Sequence, residues 1–421
     1  MAMPSVASLA LGLLASVVCA HVGAACTTRE SRPGTEAGNA WVTRANWLEA
    51  GTLRFGVTRP AQFMPGLSVA PASAAASRPA ASWRLDPDRV SVTDPADDST
   101  RSLRFLLENR IDADGVIILR QGRTLLDYRR SGFDPAAPRL LQSATRPILV
   151  AWLARAASEG RLARDKAINR LIPELGDVRE LGKRPVQRLL DGRTGLGWGD
   201  DEIGQWRSVA GWTAAPGADL RGWLKARPVW PRAEGEHGAE AIGPGGELLV
   251  WVVEKARRQP VAALLCEMQE RIGARHPAFW ATDGVGTALA DGLALSLEDF
   301  ASFGQALLDA RGRPGRRTYL PAWFADALAA GGGQDAERPA AVKALGADVG
   351  WQYHFAHPGR RTRQAAIVGE NGSSLLVDFD RGLVIAMFAS HAQRESPLLM
   401  ASLRRLWEMP VSTGGRRGKK G

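Results

Sequence analysis

Residues 115–130 carry the pattern of a β-hairpin. Gly115–Arg120 and Thr124–Arg129 are short apolar-rich runs, and Gln121-Gly122-Arg123 between them is turn-forming. Helical spacing occurs at Leu103, Leu106 and Leu107 within Ser102–Arg110. It recurs over Pro147–Gly160, where Ile148, Leu149, Trp152, Leu153 and Ala156 are apolar and a glycine closes the run. Proline is tolerated at 147 because a first-turn N–H has no intrahelical partner to lose. The middle third is irregular and rich in Trp and Gly. Its clearest helices are Glu247–Arg258, with Leu248, Leu249, Val252 and Val253 on one face, and Leu297–Leu308. Three strand signals follow at Gln364–Val368, Ser374–Asp378 and Gly382–Ala389, joined by turns at Gly369–Gly372 and Asp378–Gly382. Ser396–Glu408 predicts a terminal helix. Residues 65–82, rich in Pro, Ala and Ser, predict a surface connection. Early strands, a helical middle, late strands and a last helix predict an α/β fold of the α+β sandwich type. An antiparallel sheet is flanked by helices, with a helical lobe at about residues 145–345 inserted.

Ser5–Ala20 is apolar and uncharged, and Val22-Gly23-Ala24 offers the small residues of a cleavage site. Residues 1–25 are therefore expected to be an export signal, and the mature protein periplasmic or secreted. The run is too short for a stable membrane span. A lipoprotein anchored at Cys26 wants a large aliphatic residue where Gly23 stands. Residues 26–82 then read as an N-terminal extension and linker, and 83–410 as the main domain.

The formal charge is +10, of which Arg416, Arg417, Lys419 and Lys420 supply four in a glycine-rich tail. The tail, 411–421, is expected to be a solvated end. No basic patch with interleaved aromatics is present, so nucleic acid is not expected as a partner. Of the three cysteines, Cys19 lies in the signal. No CxxC pair or Cys/His cluster exists, so no metal or other cofactor is expected. Cys266 sits in the helical run Val261–Met268 and reads as a buried, inert thiol. A Cys26–Cys266 disulfide is the alternative in an oxidising compartment.

A series of ordered landmarks runs from about Asn46 to the last helix. The hairpin precedes Leu141-Gln-Ser-Ala-Thr-Arg146. Then come Glu159-Gly-Arg-Leu162, Leu171-Ile-Pro-Glu-Leu175, Val186–Gly195, Leu248–Ala256, Gly292–Gly304, Gly350-Trp-Gln-Tyr353 and Val377–Val384. In this order the chain resembles the serine β-lactamase-related family, which includes penicillin-binding proteins. Within it, class C-like esterases and 6-aminohexanoate-oligomer hydrolases look most similar. The resemblance implies a β-lactamase/transpeptidase-like fold and a Ser-x-x-Lys nucleophile motif. It also implies a Tyr-x-Asn/Ser proton relay and a late strand bearing Lys-Thr-Gly or His-x-Gly.

Placed on that pattern, Ser143 holds the nucleophile position and Arg146 the lysine position. Ala241 stands where the tyrosine belongs, and Gly243 where Ser or Asn belongs. Glu370-Asn371-Gly372 occupies the third motif. A guanidinium with a pKa above about 12 is a poor general base at neutral pH. None of Tyr128, Tyr319 and Tyr353 is followed two residues on by Asn or Ser. His237, four residues before Ala241, is a candidate replacement base or an ordinary loop residue.

Each residue has a plainer role to weigh. Ser143 would cap the helix at Pro147, Arg146 would pair with a carboxylate, and Glu370 would be a solvated turn carboxylate. The expected function is that of a β-lactamase-related hydrolase homologue, catalytically impaired, with an envelope ligand cleft. Ser143 and Arg146 at its floor would suit a carboxylate-bearing small molecule or peptide, such as a cell-wall fragment. The rivals are an active serine esterase or amidase using Ser143 with a non-standard base, and a non-catalytic scaffold.

Overall fold

Fourteen strands and the helices between them are defined in the computed structural model. It describes residues 26–32, 41–71, 73, 75–81, 83–176, 183–194, 198–213, 219–226, 243–312, 318–332, 338–359 and 362–411. The strands are β1 (Thr27–Ser31), β2 (Gly66–Ala70), β3 (Ser91–Thr93), β4 (Thr100–Ser102), β5 (Ala113–Arg120), β6 (Arg123–Arg129) and β7 (Arg139–Leu140). They continue as β8 (Ala278–Thr282), β9 (Ala288–Leu295), β10 (Gly350–Gln352), β11 (Phe355–His357), β12 (Gln364–Val368), β13 (Ser374–Asp378) and β14 (Leu383–Ala389).

The larger sheet has seven strands in the order β10-β11-β12-β13-β14-β5-β6, all antiparallel neighbours. The early hairpin and the late strands thus join, with Ala386 opposite Ile117 and Met387 opposite Val116. Both faces are covered, and the period-two geometry of a strand divides the side chains between them. Ile117, Leu119, Val384 and Phe388 face a core shared with the helix Leu297–Arg311. Val116, Ile118, Ile385 and Met387 face a second core shared with the terminal helix Pro397–Glu408. Gly304 lets the first of these helices lie close. A Cβ added there would meet Val384 Cγ1 at 2.6 Å and Leu375 Cδ1 at 2.8 Å.

A second sheet runs β1-β2-β8-β9-β7. Three expectations are corrected here. Residues 65–82 are not merely a surface connection, because Gly66–Ala70 is a strand pairing with both β1 and β8. The helical lobe is not purely helical, because β8 and β9 lie within it. Ser102–Arg110 is also not one regular helix. A single α-turn, Leu103–Leu106, passes into a π-turn, Leu107–Ile111, which ends on the left-handed Asp112. The described residues contain no helix long and apolar enough to cross a membrane.

Cys26 and Cys266 form a disulfide across a sequence separation of 240 residues. Cys266 is therefore not the buried free thiol that its helical setting predicts. The bond ties the start of β1, whose residues 27–30 are exposed, to the helix Val261–Ile272. A cross-link closing so long a loop removes much unfolded-state entropy. Replacing both cysteines by serine is expected to lower stability by about 2–5 kcal/mol, read as a shift of the urea midpoint. A midpoint unchanged by that double substitution would show that the staple restrains only a frayed edge.

Candidate active site

The turn carrying Ser143 is pinned from two sides. Leu141 N–H donates to Leu293 O at 2.8 Å, and Leu140 N–H donates to Val57 O at 2.8 Å. β7 pairs with the end of β9, Arg139 opposite Leu295. Gln142 then enters the left-handed region at φ 52°, unusual for a residue with a side chain. Such a conformation persists where its surroundings enforce it. Here the Gln142 side chain donates to Glu370 Oε2 at 3.1 Å. A 3₁₀ turn, Gln142–Thr145, leads into the helix Arg146–Ser158.

Ser143 does not cap that helix. Thr145 occupies the cap position, and no side chain caps the end. The Ser143 hydroxyl has no hydrogen-bond partner among the described residues. It lines a cavity of about 40 Å³ together with Arg146, Trp351, His354, Glu370 and Glu395.

Arg146 is 2% exposed. Its Nε donates to Asp291 Oδ1 at 2.8 Å and its Nη2 to Asp291 Oδ2 at 3.1 Å. Nη2 also reaches Gly243 O at 3.2 Å. The guanidinium lies against Gly246, where an added Cβ would come within 2.7 Å of Arg146 Cζ. A planar fork bidentate on a buried carboxylate is an arrangement that lysine cannot reproduce. The residue at the lysine position is thus held by a carboxylate of its own chain. That carboxylate comes from β9, the strand that also fixes the Ser143 turn.

Two further acids are buried beside this pair. Glu247 opens the helix Glu247–Arg257 and accepts from Trp206 Nε1 at 3.1 Å and from Ala290 N–H at 2.8 Å. Burial, and then the negative charge of Asp291, push its pKa up to about 8. Glu370 is 8% exposed, which corrects its reading as a solvated turn carboxylate. Burial raises its pKa, against the pull of Arg394, whose Nε lies 3.3 Å from Glu370 Oε2.

His354 is a ring in the Ser143 cavity that sequence reasoning missed. It and Tyr353 both have left-handed backbones, at φ 61° and 55°, in the tight turn between β10 and β11. Its Nε2 lies 3.1 Å from Leu189 O, which assigns the proton to that nitrogen. Burial, and then the Arg146 charge, lower its pKa to about 3, leaving a weak base at neutral pH.

The other third-motif residues are architectural. Asn371, at φ 58°, donates from Nδ2 to His391 O at 2.8 Å. Gly372 has φ +89°, and a Cβ there would press on Ala389 and Leu399. Ala241 and His237 lie outside the described residues. No tyrosine lines the Ser143 cavity among the described residues. Asp291 was also missed, although a signal existed. It is the one charged residue in the otherwise apolar run Ala288–Leu295, and a buried carboxylate that stays ionised needs a cation beside it. The chain brings Cys26, Cys266 and Glu270 within metal-binding reach, but the disulfide consumes both thiols.

No protein-family model matches the chain. It is 23% identical over 369 residues to 6-aminohexanoate-dimer hydrolase of Paenarthrobacter ureafaciens, covering 85% of this chain and 90% of that protein. A Bacillus anthracis structure assigned as a 6-aminohexanoate-dimer hydrolase superposes with a TM-score of 0.73 at 19% identity, over 90% of this chain and 100% of that one. A penicillin-binding-protein homologue from Caulobacter crescentus superposes at 0.50 with 17% identity, over 72% and 95%. The mixed helix and antiparallel-sheet architecture is therefore the β-lactamase/transpeptidase fold, and the chain's neighbours in sequence and structure are 6-aminohexanoate-dimer hydrolase and penicillin-binding-protein-like serine hydrolases.

Proposed function

We propose that this chain is an exported homologue of the β-lactamase-fold serine hydrolases. In this reading it has a strongly impaired acylation step and keeps a cleft for a carboxylate-bearing ligand. One observation carries the reading. The side chain next to Ser143 at the lysine position is a guanidinium locked on Asp291. A permanently protonated group cannot accept the serine proton, and loss of general-base help typically lowers rates by about 100- to 10,000-fold. The neighbours' names speak for hydrolase ancestry. The Cys26–Cys266 disulfide and the apolar N-terminal run support export.

Incubation with a fluorophosphonate or a penicillin at neutral pH, followed by intact-mass measurement, tests it. The expected result is no stoichiometric adduct. An adduct that forms fully and disappears in Ser143→Ala would establish the second reading, an active esterase or amidase. That reading is favoured by Glu370, which lines the cavity of Ser143 and offers a carboxylate as an unorthodox base.

A further inference from the structure

β6 is the last strand of the seven-stranded sheet, and its outer edge is only partly covered. Thr124 N–H donates to Pro79 O at 3.0 Å, Ala81 N–H to Thr124 O at 2.9 Å and Leu85 N–H to Leu125 O at 2.9 Å. From Leu126 to Arg129 the strand has no backbone partner except β5 among the described residues. The pairing tells which groups point outward. Arg130 N–H donates inward to Asp114 O at 2.9 Å, and antiparallel pairs alternate between bonded and non-bonded. No irregularity interrupts the register from Leu126 to Arg129. Tyr128 therefore turns its N–H and C=O towards β5, and Asp127 and Arg129 turn theirs outward. A groove of about 820 Å³ runs along this stretch, bordered by Arg78 and Ser302 and by Leu85 and Arg104.

The side chains of the open stretch carry a second observation. Asp127 and Arg129 are exposed, two residues apart on one face of the strand, and of opposite sign. Arg129 Nη2 lies 2.7 Å from Asp127 Oδ2 and 3.8 Å from Glu298 Oε1. Charges on an edge ordinarily keep other strands away. A run of one sign would repel its own copy, but Asp127-Tyr128-Arg129 matches its own copy when inverted. A two-fold axis at Tyr128 sets Asp127 opposite the second copy's Arg129, and Arg129 opposite the second copy's Asp127.

We infer that the open edge of β6 is a self-association surface, on which a second copy of this chain pairs antiparallel about Tyr128. Asp127 and the second copy's Arg129 both turn their backbone groups outward, so they form a bonded pair that exchanges N–H···O=C bonds in both directions, and the two-fold repeats it. Each such pair also brings opposite charges together across the strands. Pairing ends at Thr124, where Pro79 and Ala81 already occupy the edge, and at the turn Ser131–Gly132 that follows the strand. The two seven-stranded sheets then run as one. So short a contact makes a reversible dimer rather than an obligate one. The inference goes beyond the hydrolase reading and does not rest on it.

Sedimentation equilibrium of the purified protein, from micromolar to near-millimolar concentration, tests it. A monomer–dimer equilibrium is expected. Asp127→Arg and Arg129→Asp each set like charges opposite one another twice, and each should weaken the dimer by about tenfold or more. The two changes together restore opposite signs and should return the dissociation constant to within about threefold of the parent. Both side chains are exposed, so every variant should melt like the parent when dilute. Amide hydrogen exchange gives a second readout. The Asp127 and Arg129 amides should slow as concentration rises, and should not slow in either single variant. A protein that stays monomeric throughout overturns the inference and leaves the groove to a foreign strand. A dimer that neither single change weakens overturns it by placing the contact elsewhere. A dimer weakened by the single changes and not restored by the pair overturns it too, because the two charges then do not face each other. None of these outcomes decides whether Ser143 is acylated, which the labelling experiment reads separately.

Discussion

Arg146→Ala is expected to destabilise the protein by about 3–5 kcal/mol, the range for removing one member of a buried ion pair. The loss comes less from the attraction removed than from what remains. Asp291, 7% exposed, would be left as a buried carboxylate without its two guanidinium donors, and Gly246 would face a void where the guanidinium lay. Asp291→Ala should act similarly by stranding a cation. The pair itself contributes little against well-packed apolar residues, because desolvation offsets most of its attraction. Arg146→Met combined with Asp291→Leu should therefore recover most of the stability lost by either single change. Urea unfolding of the three variants checks this. Arg146→Ala within about 1 kcal/mol of the parent would mean that the pair is hydrated in solution. The same reasoning explains why the site tolerates arginine at this position. Arg146 acts in this chain as a buried structural tie.

Glu247 gives the second large effect, seen as a dependence on pH. Its folded-state pKa is raised to about 8 from an ordinary value of 4.5, so the folded chain holds a proton that the unfolded chain releases. Its contribution is greatest below pH 4.5, falls as pH climbs towards 8, and levels off above. The slope is about 1.4 kcal/mol per pH unit, for a total on the order of 5 kcal/mol. Glu247→Gln cannot ionise. Its stability relative to the parent should therefore rise steadily between pH 5 and pH 8, whatever fixed penalty the amide brings against Trp206 and Ala290. Melting both proteins across that interval measures the difference. Parallel curves would show that Glu247 is ionised in the native state. A neutral Glu247 makes chemical sense, because Arg146 and Asp291 already balance and a second negative charge would have no partner.

The sequence made parts of this fold readable for a physical reason. The hairpin at β5 and β6 and the strands β12 to β14 are punctuated by glycine-containing turns and rich in β-branched and aliphatic side chains. β8 and β9 are buried at every position, so they lack the alternation that marks a half-exposed strand. β9 also carries Ala, Asp and Gly, which disfavour strands on their own. Gly66–Ala70 was hidden by its Pro/Ala/Ser-rich neighbourhood. At the site, Ser143 and Arg146 were found because their spacing is local. Asp291, Glu247, His354 and Arg394 come together only through tertiary structure, and no spacing along the chain announces that meeting. Glu370 was found by position and misjudged by environment, since a turn carboxylate reads as solvated until the chain folds over it.

The second sheet also imposes an order of events. β1 and β2 emerge early in synthesis, yet β2 has no inner neighbour until β8 exists, and Cys26 has no partner until Cys266, 240 residues later, has been made. Until then the β1–β2 pair presents the open edge of β2, the state most open to aggregation and to a helper that holds it. The strand Thr27–Ser31, made early, is thus among the last to be secured, and oxidation of the two thiols marks the moment at which the molecule is closed.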